Sequence, residues 1–391
     1  MTIARVYDVA QRGFEFDPGN GALGGGDVSL TFISEVPVGN NFWIAEYEVS
    51  GTPLADQSFF LYNDTGSLDT SVVETIEYYL QGDISFSLAE LDLTLSDLAQ
   101  SGSEAFFRGN DQITGNSFDD RVYGFSGNDL IDGGGGFDTA AYFGDQINYT
   151  LTLKPFSTTI TDRRFNGDGT DELINIEQLD FRTEIFGVPF DLTQFGGTTG
   201  LSEQNFESFI ELYIAYFNRA PDAIGLNFWG TAYANGTSLE EMATLFVGQE
   251  ETLAAYPPGT SNEVFAETVY NNVLGRTPDQ AGFDFWVGQL DSEAVSRDQF
   301  ILEVLGGVQA GSPDRSYLDD KVDIGAYFAV HKGMSDVDDA SDAMALFDGS
   351  DASIDAAVNA IDAYYTDALD PTNGEFLMQV VGVLDDPFAV G

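Results

Sequence analysis

The sequence predicts a multidomain protein of mixed α and β class: a β-rich N-terminal domain, a short parallel β-roll with a β cap, and an all-α C-terminal domain. Three observations predict this order. Hydrophobic residues first alternate with period two, then a nine-residue repeat follows, and a helical period begins near residue 200. The chain has 391 residues, 43% of them hydrophobic, which is enough for two or three packed domains.

Residues 1–104 are predicted to form the β-rich domain. Apolar and polar residues alternate in 28–33 and 41–49, with Gly, Pro and Asn between such segments. Near the end of this region four leucines have helical spacing, which predicts a short helix leading into the repeats. They are Leu88, Leu91, Leu95 and Leu98.

Residues 105–195 contain the repeat, in which four aspartates recur nine residues apart. They are Asp111, Asp120, Asp129 and Asp138. Each follows a turn rich in Gly and Asn, residues that tolerate positive φ, so that backbone carbonyls can converge. Carboxylates and carbonyls are hard oxygen ligands that suit calcium better than zinc or copper. An apolar residue always stands two positions after the Asp, which a flexible Gly/Asp linker would not require.

This pattern resembles the RTX (repeats-in-toxin, haemolysin-type) calcium-binding nonapeptide, Gly-Gly-x-Gly-x-Asp-x-apolar-x, over residues 106–141. The resemblance implies a parallel β-roll that holds about two calcium ions, each between one turn and the turn two units later. The first unit departs from the pattern, with Phe106 and Phe107 in place of glycines. The implied ligand positions are Gly109, Asn110, Asp111, Asp120, Gly127, Asn128, Asp129, Gly136 and Asp138.

After the repeats, residues 149–181 read as strands and contain the segment Gly-Thr-Asp-x-Leu-x-Asn-Ile-Glu. This segment resembles the cap that closes RTX rolls. Asp168 and Asp171 are candidates for a further calcium site, and for the simpler role of capping backbone amides in a Gly-rich turn.

A Gly/Thr linker is predicted at 196–200, followed by a duplicated helical domain over 201–312 and an acidic helical region over 313–391. The duplicated motif runs from Arg219 to Trp229 and again from Arg276 to Trp286. Capping signals predict where its helices begin. They are Asp222 and Asp279 as N-caps, and the pairs Ser238 with Glu241 and Ser296 with Gln299 as capping boxes.

The motif resembles a bacterial domain of unknown function common in secreted calcium-repeat proteins, with the pattern Leu-Gly-Arg-x-Pro-Asp-x-x-Gly-x-x-Tyr/Phe-Trp. A more distant similarity, to the part of surface-layer proteins that holds them to lipopolysaccharide, implies a bacterial surface glycan as partner. Candidate glycan contacts are Arg219, Trp229, Arg276 and Trp286. The alternative is that the tryptophans belong to the core and the arginines pair with nearby aspartates.

Composition excludes several functions. With 65 acidic and 14 basic residues, the formal charge of −51 repels nucleic acid and favours divalent cations. Without cysteine, and with His331 as the single histidine, neither disulfides nor multi-histidine zinc sites are expected. We expect no N-terminal signal peptide and no membrane span. The RTX resemblance implies type I export, and 384–391 places acids before small and apolar residues, as an export signal would.

Together these observations predict a non-enzymatic, calcium-stabilised protein of the cell exterior, cell surface or particle surface that attaches to capsule or lipopolysaccharide. One alternative is a structural component, such as a surface layer or the receptor-binding spike of a phage-like particle, joined to a larger assembly through residues 1–104. Another is a secreted polysaccharide hydrolase, because two carboxylates suffice for glycoside hydrolysis.

Overall fold

The structure is a computed structural model that describes residues 109–115, 117–181 and 189–389, and the backbone of six strands before them. The chain forms two compact units. The first comprises Met1–Tyr149 and Phe156–Thr193, and the second Thr150–Pro155 and Gln194–Gly391. The predicted fold class is confirmed, because strands precede an all-helical region. The predicted limits of the four segments stay predictions.

The first unit begins with six strands in one sheet. They are β1 (Ile3–Val6), β2 (Ser29–Pro37), β3 (Trp43–Ser50), β4 (Gln57–Asn63), β5 (Val72–Leu80) and β6 (Asp83–Thr94). Strands β2 to β6 pair antiparallel in sequence order, and β1 pairs antiparallel with β6. Consecutive antiparallel pairing is what alternating segments joined by turn residues favour.

The helix predicted across the four leucines is wrong for its first half. Leu88 and Leu91 lie in β6, which pairs with β5 on one side and with β1 on the other. Ile84, Phe86 and Leu88 alternate with polar residues, and pairing on both edges outweighs a helical spacing of only a few residues. Leu95 and Leu98 lie outside the described residues.

The nine-residue repeats form the predicted parallel β-roll, in which successive short strands alternate between two sheets. Its strands are β7 (Gln112–Thr114), β8 (Arg121–Val122), β9 (Leu130–Asp132), β10 (Thr139–Tyr142), β13 (Thr170–Ile174) and β14 (Gln178–Phe181). Strands β7, β9 and β13 pair parallel in one sheet, and β8, β10 and β14 in the other. In the first sheet, β7 also pairs parallel with β1.

The apolar eighth residue of each repeat faces the interior between these two sheets, as predicted. Ile131 and Ala140 are completely buried, and Ile113 and Val122 are at most 5% exposed. Leu173 and Leu179 occupy the matching places in β13 and β14. The narrow core of the roll is therefore one stack of inward-facing side chains.

A hairpin element interrupts the roll between β10 and β13. It contains β11 (Tyr149–Leu153) and β12 (Thr158–Asp162), and β12 pairs antiparallel with β13. On the other side of the roll, β15 (Phe190–Asp191) pairs antiparallel with β14. Of the residues predicted to form a cap, 149–181, those of β13 and β14 instead continue the two sheets of the roll. In the second unit, the residues of β11 from Thr150 onward pair parallel with β16 (Leu377–Val380).

The second unit is helical. Its helices are α1 (Glu203–Phe217), α2 (Ala223–Ala234), α3 (Leu239–Phe246), α4 (Glu250–Ala255), α5 (Asn262–Leu274), α6 (Gln280–Asp291), α7 (Arg297–Gly306), α8 (Pro313–Ala326), α9 (Val337–Ala345) and α10 (Asp351–Ala368). A π-helical turn, Tyr327–His331, follows α8. The predicted apolar face of α1 is buried, and α1 packs against α3, α4, α7 and α8. Helix α1 is thus the centre of this unit.

Most predicted helix starts are confirmed. Asp222 and Asp279 cap α2 and α6, each accepting a bond from the backbone N–H three residues later. Ser238 and Glu241 form a complete capping box. Ser296 does begin α7, but its side chain makes no capping bond. The expected second box is absent because Gln299 donates to the Glu240 carbonyl instead.

The segment predicted as a linker, Gly196–Gly200, is a 3-10 helix packed against α2. Thr198 is fully buried and donates to Asn227 Oδ1 at 2.7 Å. A Cβ on Gly230 would lie 2.4 Å from Thr198 Cγ2, so the absence of a side chain there makes room for the contact. A buried polar pair therefore orders a segment whose composition alone predicts flexibility.

Glycine at position 127 is predicted to be essential to the roll. Its φ is +140°, and a Cβ there would lie 1.9 Å from the Gly109 carbonyl oxygen. Gly127→Ala should therefore lower the free energy of unfolding of the roll by about 2 to 4 kcal/mol. Gly135→Ala is the matched control, because a Cβ at Gly135 meets nothing closer than 3.9 Å. Chemical denaturation followed by circular dichroism measures both, and equal stability of the two variants would contradict the prediction.

Candidate functional site

The stacked turns bring acidic residues into two columns. In the first column, the Asp111 N–H donates to Asp129 Oδ1 at 2.8 Å, and the Asp129 N–H donates to Asp171 Oδ1 at 3.0 Å. Each carboxylate thus accepts a bond from the backbone of the turn one coil earlier. Asp111, Asp129 and Asp171 are called the first column below.

The second column lies on the other side of the roll and follows the same rule. Asp120 donates its N–H to Asp138 Oδ1 at 2.7 Å, and Asp138 donates its N–H to Glu177 Oε2 at 2.7 Å. Glu177 was not predicted as a site residue. The sequence feature that could have identified Glu177 is the Asn-Ile-Glu segment of the cap. The turn that places Glu177 in the column has a different spacing from the nine-residue repeats.

Asparagine and glycine shape the turns of both columns, as their residue types predicted. Asn128 donates its N–H to Asn110 Oδ1 at 2.8 Å. Gly127 and Gly136 have φ of 140° and 127°, values that favour glycine. Gly109 directs its carbonyl oxygen at Gly127 in the next coil, so carbonyls lie beside the acidic columns.

The residues present fit calcium. Asp129 is 3% and Asp138 0% exposed, and the Oδ2 atom of each has no hydrogen-bond partner among the described residues. A buried carboxylate oxygen without a donor is costly unless a cation neutralises it. Carboxylate and carbonyl oxygens are the donors that calcium prefers. In the described part of the chain no three acidic or histidine side chains converge, so carbonyls would have to complete the coordination.

Burial raises the pKa of the column carboxyls in the absence of a cation. The pKa of Asp129 rises to about 8, through desolvation and then the charge of Asp171. Desolvation raises the pKa of Asp171 to about 7 and that of Asp138 to about 6. At neutral pH the calcium-free first column therefore holds protons, mainly on Asp129 and in part on Asp171, and a bound cation would displace them.

Asp168, the other acidic residue predicted in the cap, is bound by protein donors instead. Its Oδ2 accepts from the Tyr149 hydroxyl at 2.5 Å and from the Phe143 N–H at 3.0 Å, and Arg164 lies 3.3 Å away. Asp168 thus accepts one backbone amide, that of Phe143 outside its own Gly-rich turn, and two side-chain donors. Asp171, three residues later, lies in the first column.

The two arginines of the duplicated motif have different surroundings. Arg219 is buried, with a side chain 4% exposed, and it pairs with Glu251 at 2.8 Å and with Asp222 at 3.2 Å. Arg276 has a side chain 43% exposed and pairs with Asp314 at 2.6 Å. The Arg219 guanidinium is thus held by ion pairs inside the fold, whereas the Arg276 guanidinium lies at the surface.

The two tryptophans are both partly buried. Trp229 lies edge-on to Phe246, with ring centroids 5.0 Å apart. Trp286 lies edge-on to Phe300 at 5.3 Å and donates its indole N–H to the Tyr270 hydroxyl at 2.9 Å. Both indoles therefore contribute to packing while staying partly exposed, so neither ring is fully buried or fully open to solvent.

Both sequence motifs lie in segments that match known protein families. Residues 107–140 match the RTX calcium-binding nonapeptide repeat, in four copies. Residues 243–307 match a domain of unknown function, DUF4214, and include the second copy of the duplicated motif. The chain therefore carries RTX repeats, which bind calcium, and a DUF4214 domain.

Other comparisons are sparse. Among curated proteins, none matches this sequence. A solved structure, the extracellular lipase LipA from Serratia marcescens, is 23% identical with a TM-score of 0.14, over 22% of this chain and 15% of the lipase. So small a likeness carries no argument about activity. Across the described residues, every helix is too short or too polar to span a bilayer.

Calcium should reverse the pH dependence of stability. The unfolded Asp carboxyl has a pKa near 3.8, well below the pKa of 8 or so that burial gives Asp129. The raised pKa values therefore stabilise the calcium-free roll fully below about pH 4, and this contribution is lost as pH rises through about 6 to 8. Calcium instead needs ionised carboxylates, so calcium-loaded protein should gain stability over the same range. Thermal melts from pH 5 to 8, with calcium and with chelator, measure this, and parallel curves would contradict it.

The duplicated arginines should differ in their contribution to stability. Arg219→Ala leaves Asp222 and Glu251 without their buried partner and should lower the free energy of unfolding of the helical unit by about 3 kcal/mol. Arg276→Ala, the matched control, removes an exposed ion pair and should cost less than about 1 kcal/mol. Urea denaturation of both variants provides the measurement, and a larger loss for Arg276→Ala would refute the assignment.

Proposed function

We propose that this protein is secreted, folds its β-roll on calcium outside the cell, and attaches to a bacterial surface polysaccharide through the second copy of its duplicated motif. The RTX repeats support calcium binding and secretion, because proteins with these repeats are typically exported. Type I export fits the calcium requirement, since a chain with buried unneutralised carboxylates gains stability where calcium is abundant.

One observation supports the place of attachment: the second copy has an open aromatic and cationic surface. Phe285 is 55% exposed next to Trp286. Tyr270 connects the two halves of this surface, because it accepts the Trp286 bond and lies under the Arg276 guanidinium, 5.5 Å from its ring centroid. These four residues are called the second-copy surface below.

The chemistry of this surface suits a sugar. Aromatic faces pack against the apolar faces of pyranose rings, while guanidinium and carboxylate groups bond to hydroxyls. Arg276 is already bound by Asp314, so it offers its remaining N–H groups rather than a bare charge. In the first copy, Phe228 is 41% exposed beside Trp229, but Arg219 is enclosed by Glu251 and Asp222, so that copy presents an aromatic face without an accessible cation.

The overall charge restricts the ligand. A formal charge of −51 repels acidic polysaccharides at long range, and only short-range contacts escape this repulsion. We infer that the ligand is a neutral sugar chain, or an acidic one whose charge calcium neutralises.

Phe285→Ser should weaken polysaccharide binding about threefold to tenfold, because it removes an exposed stacking face. Phe156→Ser is the matched control, since Phe156 is 94% exposed and belongs to the other compact unit. Binding of calcium-loaded full-length protein to wild-type and capsule-deficient cells measures the effect. The proposal predicts loss of binding for Phe285→Ser alone. Equal binding by both variants would end the proposal, and equal binding to both kinds of cell would exclude the capsule as the ligand.

We propose binding without cleavage. Incubation of the protein with purified capsular polysaccharide tests this, because a hydrolase creates new reducing ends and a binding protein does not. The structural alternative, assembly through residues 1–104, stays a prediction.

A further inference from the structure

We propose that residues 166–174 form a fifth nonapeptide turn, and that Asp129 and Asp171 hold an additional calcium ion between this turn and the turn of the third repeat. The matched repeats end at residue 140, so the fifth turn is separated from them by the hairpin element. The inference rests on the calcium binding of the roll and extends it by one site.

The sequence of this segment has the repeat pattern. It reads Asn-Gly-Asp-Gly-Thr-Asp-Glu-Leu-Ile, with Gly at the second and fourth places, Asp at the sixth and an apolar residue at the eighth. The only departure is Asn166 in the first place, and its φ of +57° is one that Asn tolerates. A match limited to consecutive repeats does not reach it, because an unrelated segment intervenes.

The structure continues the roll through this turn in register. Strand β13 pairs parallel with β9, with Leu173 opposite Ile131, as β9 pairs with β7. Thr170 donates its N–H to Asn128 Oδ1 at 2.9 Å, repeating the bond from Asn128 to Asn110. The chain thus leaves the roll for the hairpin and returns to add one more turn of the same kind.

The close contact between glycines also repeats. A Cβ on Gly169 would lie 1.7 Å from the Gly127 carbonyl oxygen, and one on Gly127 would lie 1.9 Å from the Gly109 carbonyl oxygen. Backbone carbonyls therefore lie at the new interval as they do at the earlier one, and the Gly127 carbonyl also accepts the Thr170 N–H at 3.2 Å. A calcium site needs more oxygen ligands than these side chains provide, and backbone carbonyls can supply the others.

An independent observation points to a ligand at this place. Asp129 is 3% exposed, and its Oδ2 has no hydrogen-bond partner among the described residues. This atom and Asp171 Oδ2 lie 2.5 and 3.4 Å from one point, the position that a Cβ on Gly124 would occupy. Two carboxylate oxygens thus converge there. The Tyr142 hydroxyl interacts with Asp171, but among the described residues no donor meets Asp129 Oδ2.

Solvent reaches this column. A cleft of about 380 Å³ runs along it and is lined by residues of all three turns, including Asn128, Asp129, Thr170 and Asp171. A cation therefore has a path of entry. Asp168 is not a ligand in this proposal, because its carboxylate is bound by Tyr149, Phe143 and Arg164.

Ion counting tests the site. Native mass spectrometry of the full chain, stripped with chelator and titrated with calcium, should give one ion fewer for Asp171→Asn than for the unchanged protein. The Asn side chain keeps an oxygen to accept the Asp129 N–H, so the roll should survive. Asp168→Asn, in the same turn and with the same change of charge, should keep the full count. An unchanged count for Asp171→Asn, or a lower one for Asp168→Asn alone, would overturn the proposal.

A second measurement covers the case in which Asp171→Asn loses the roll and every ion with it. A calcium-loaded crystal structure of the unchanged chain should show an ion about 2.3 to 2.6 Å from one carboxylate oxygen each of Asp129 and Asp171. Absence of density there would overturn the additional site while leaving calcium elsewhere in the roll intact. If the unchanged protein binds no calcium at all, the proposed function fails as well.

Discussion

The burial of like-charged carboxylates in stacked turns is the constraint on which the roll depends. In each column, one oxygen of a carboxylate accepts the N–H of the preceding coil, which fixes the register between coils. The second oxygen of Asp129 and of Asp138 has no donor among the described residues. Protons or cations must therefore neutralise these groups, because isolated buried charges are too costly. Apolar burial in the roll is modest: β7, β8, β9 and β13 each bury one apolar side chain, and β10 and β14 add Tyr142 and Phe181. The roll thus has little other stability with which to offset unneutralised carboxylates.

Much of the roll was predictable because every turn uses the same offsets. A period of nine specifies both the stacking of Asp129 over Asp111 and the burial of Ile131. Prediction failed where non-local pairing decided the structure. Leu88 and Leu91 have helical spacing, but β6 also pairs with β1, which lies far away in the sequence. The helical structure of 196–200 likewise depends on the hydrogen bond from Thr198 to Asn227, which a local sequence pattern does not predict. Glu177 was missed because it reaches its column through a turn of different spacing.

The duplicated motif shows how far local sequence determines the role of a residue. Both copies keep the Pro-Asp turn, and in both the Asp caps the following helix in the same way. This part depends only on neighbouring residues, so it was predictable. The surroundings of the arginines depend on distant partners instead. Glu251 from α4 closes over Arg219, whereas Arg276 meets Asp314 at the start of α8 and stays exposed. The two copies of one motif thus give a buried arginine with its ion pairs in the first copy and an exposed arginine in the second.

The two compact units differ in what stabilises them, and this difference limits where calcium acts. Helix α1 buries Phe206, Phe209 and Ile210 completely, so the helical unit has an ordinary apolar core. Its described buried cations are satisfied by protein groups, as when Lys321 donates to the Asn272 carbonyl at 2.6 Å. No acidic column of the kind found in the roll occurs among the described residues of that unit. Calcium should therefore control the folding of the first unit, while the second-copy surface is built on a core that needs no cation. Any calcium dependence of attachment then arises from the roll, or from the charge of the glycan itself.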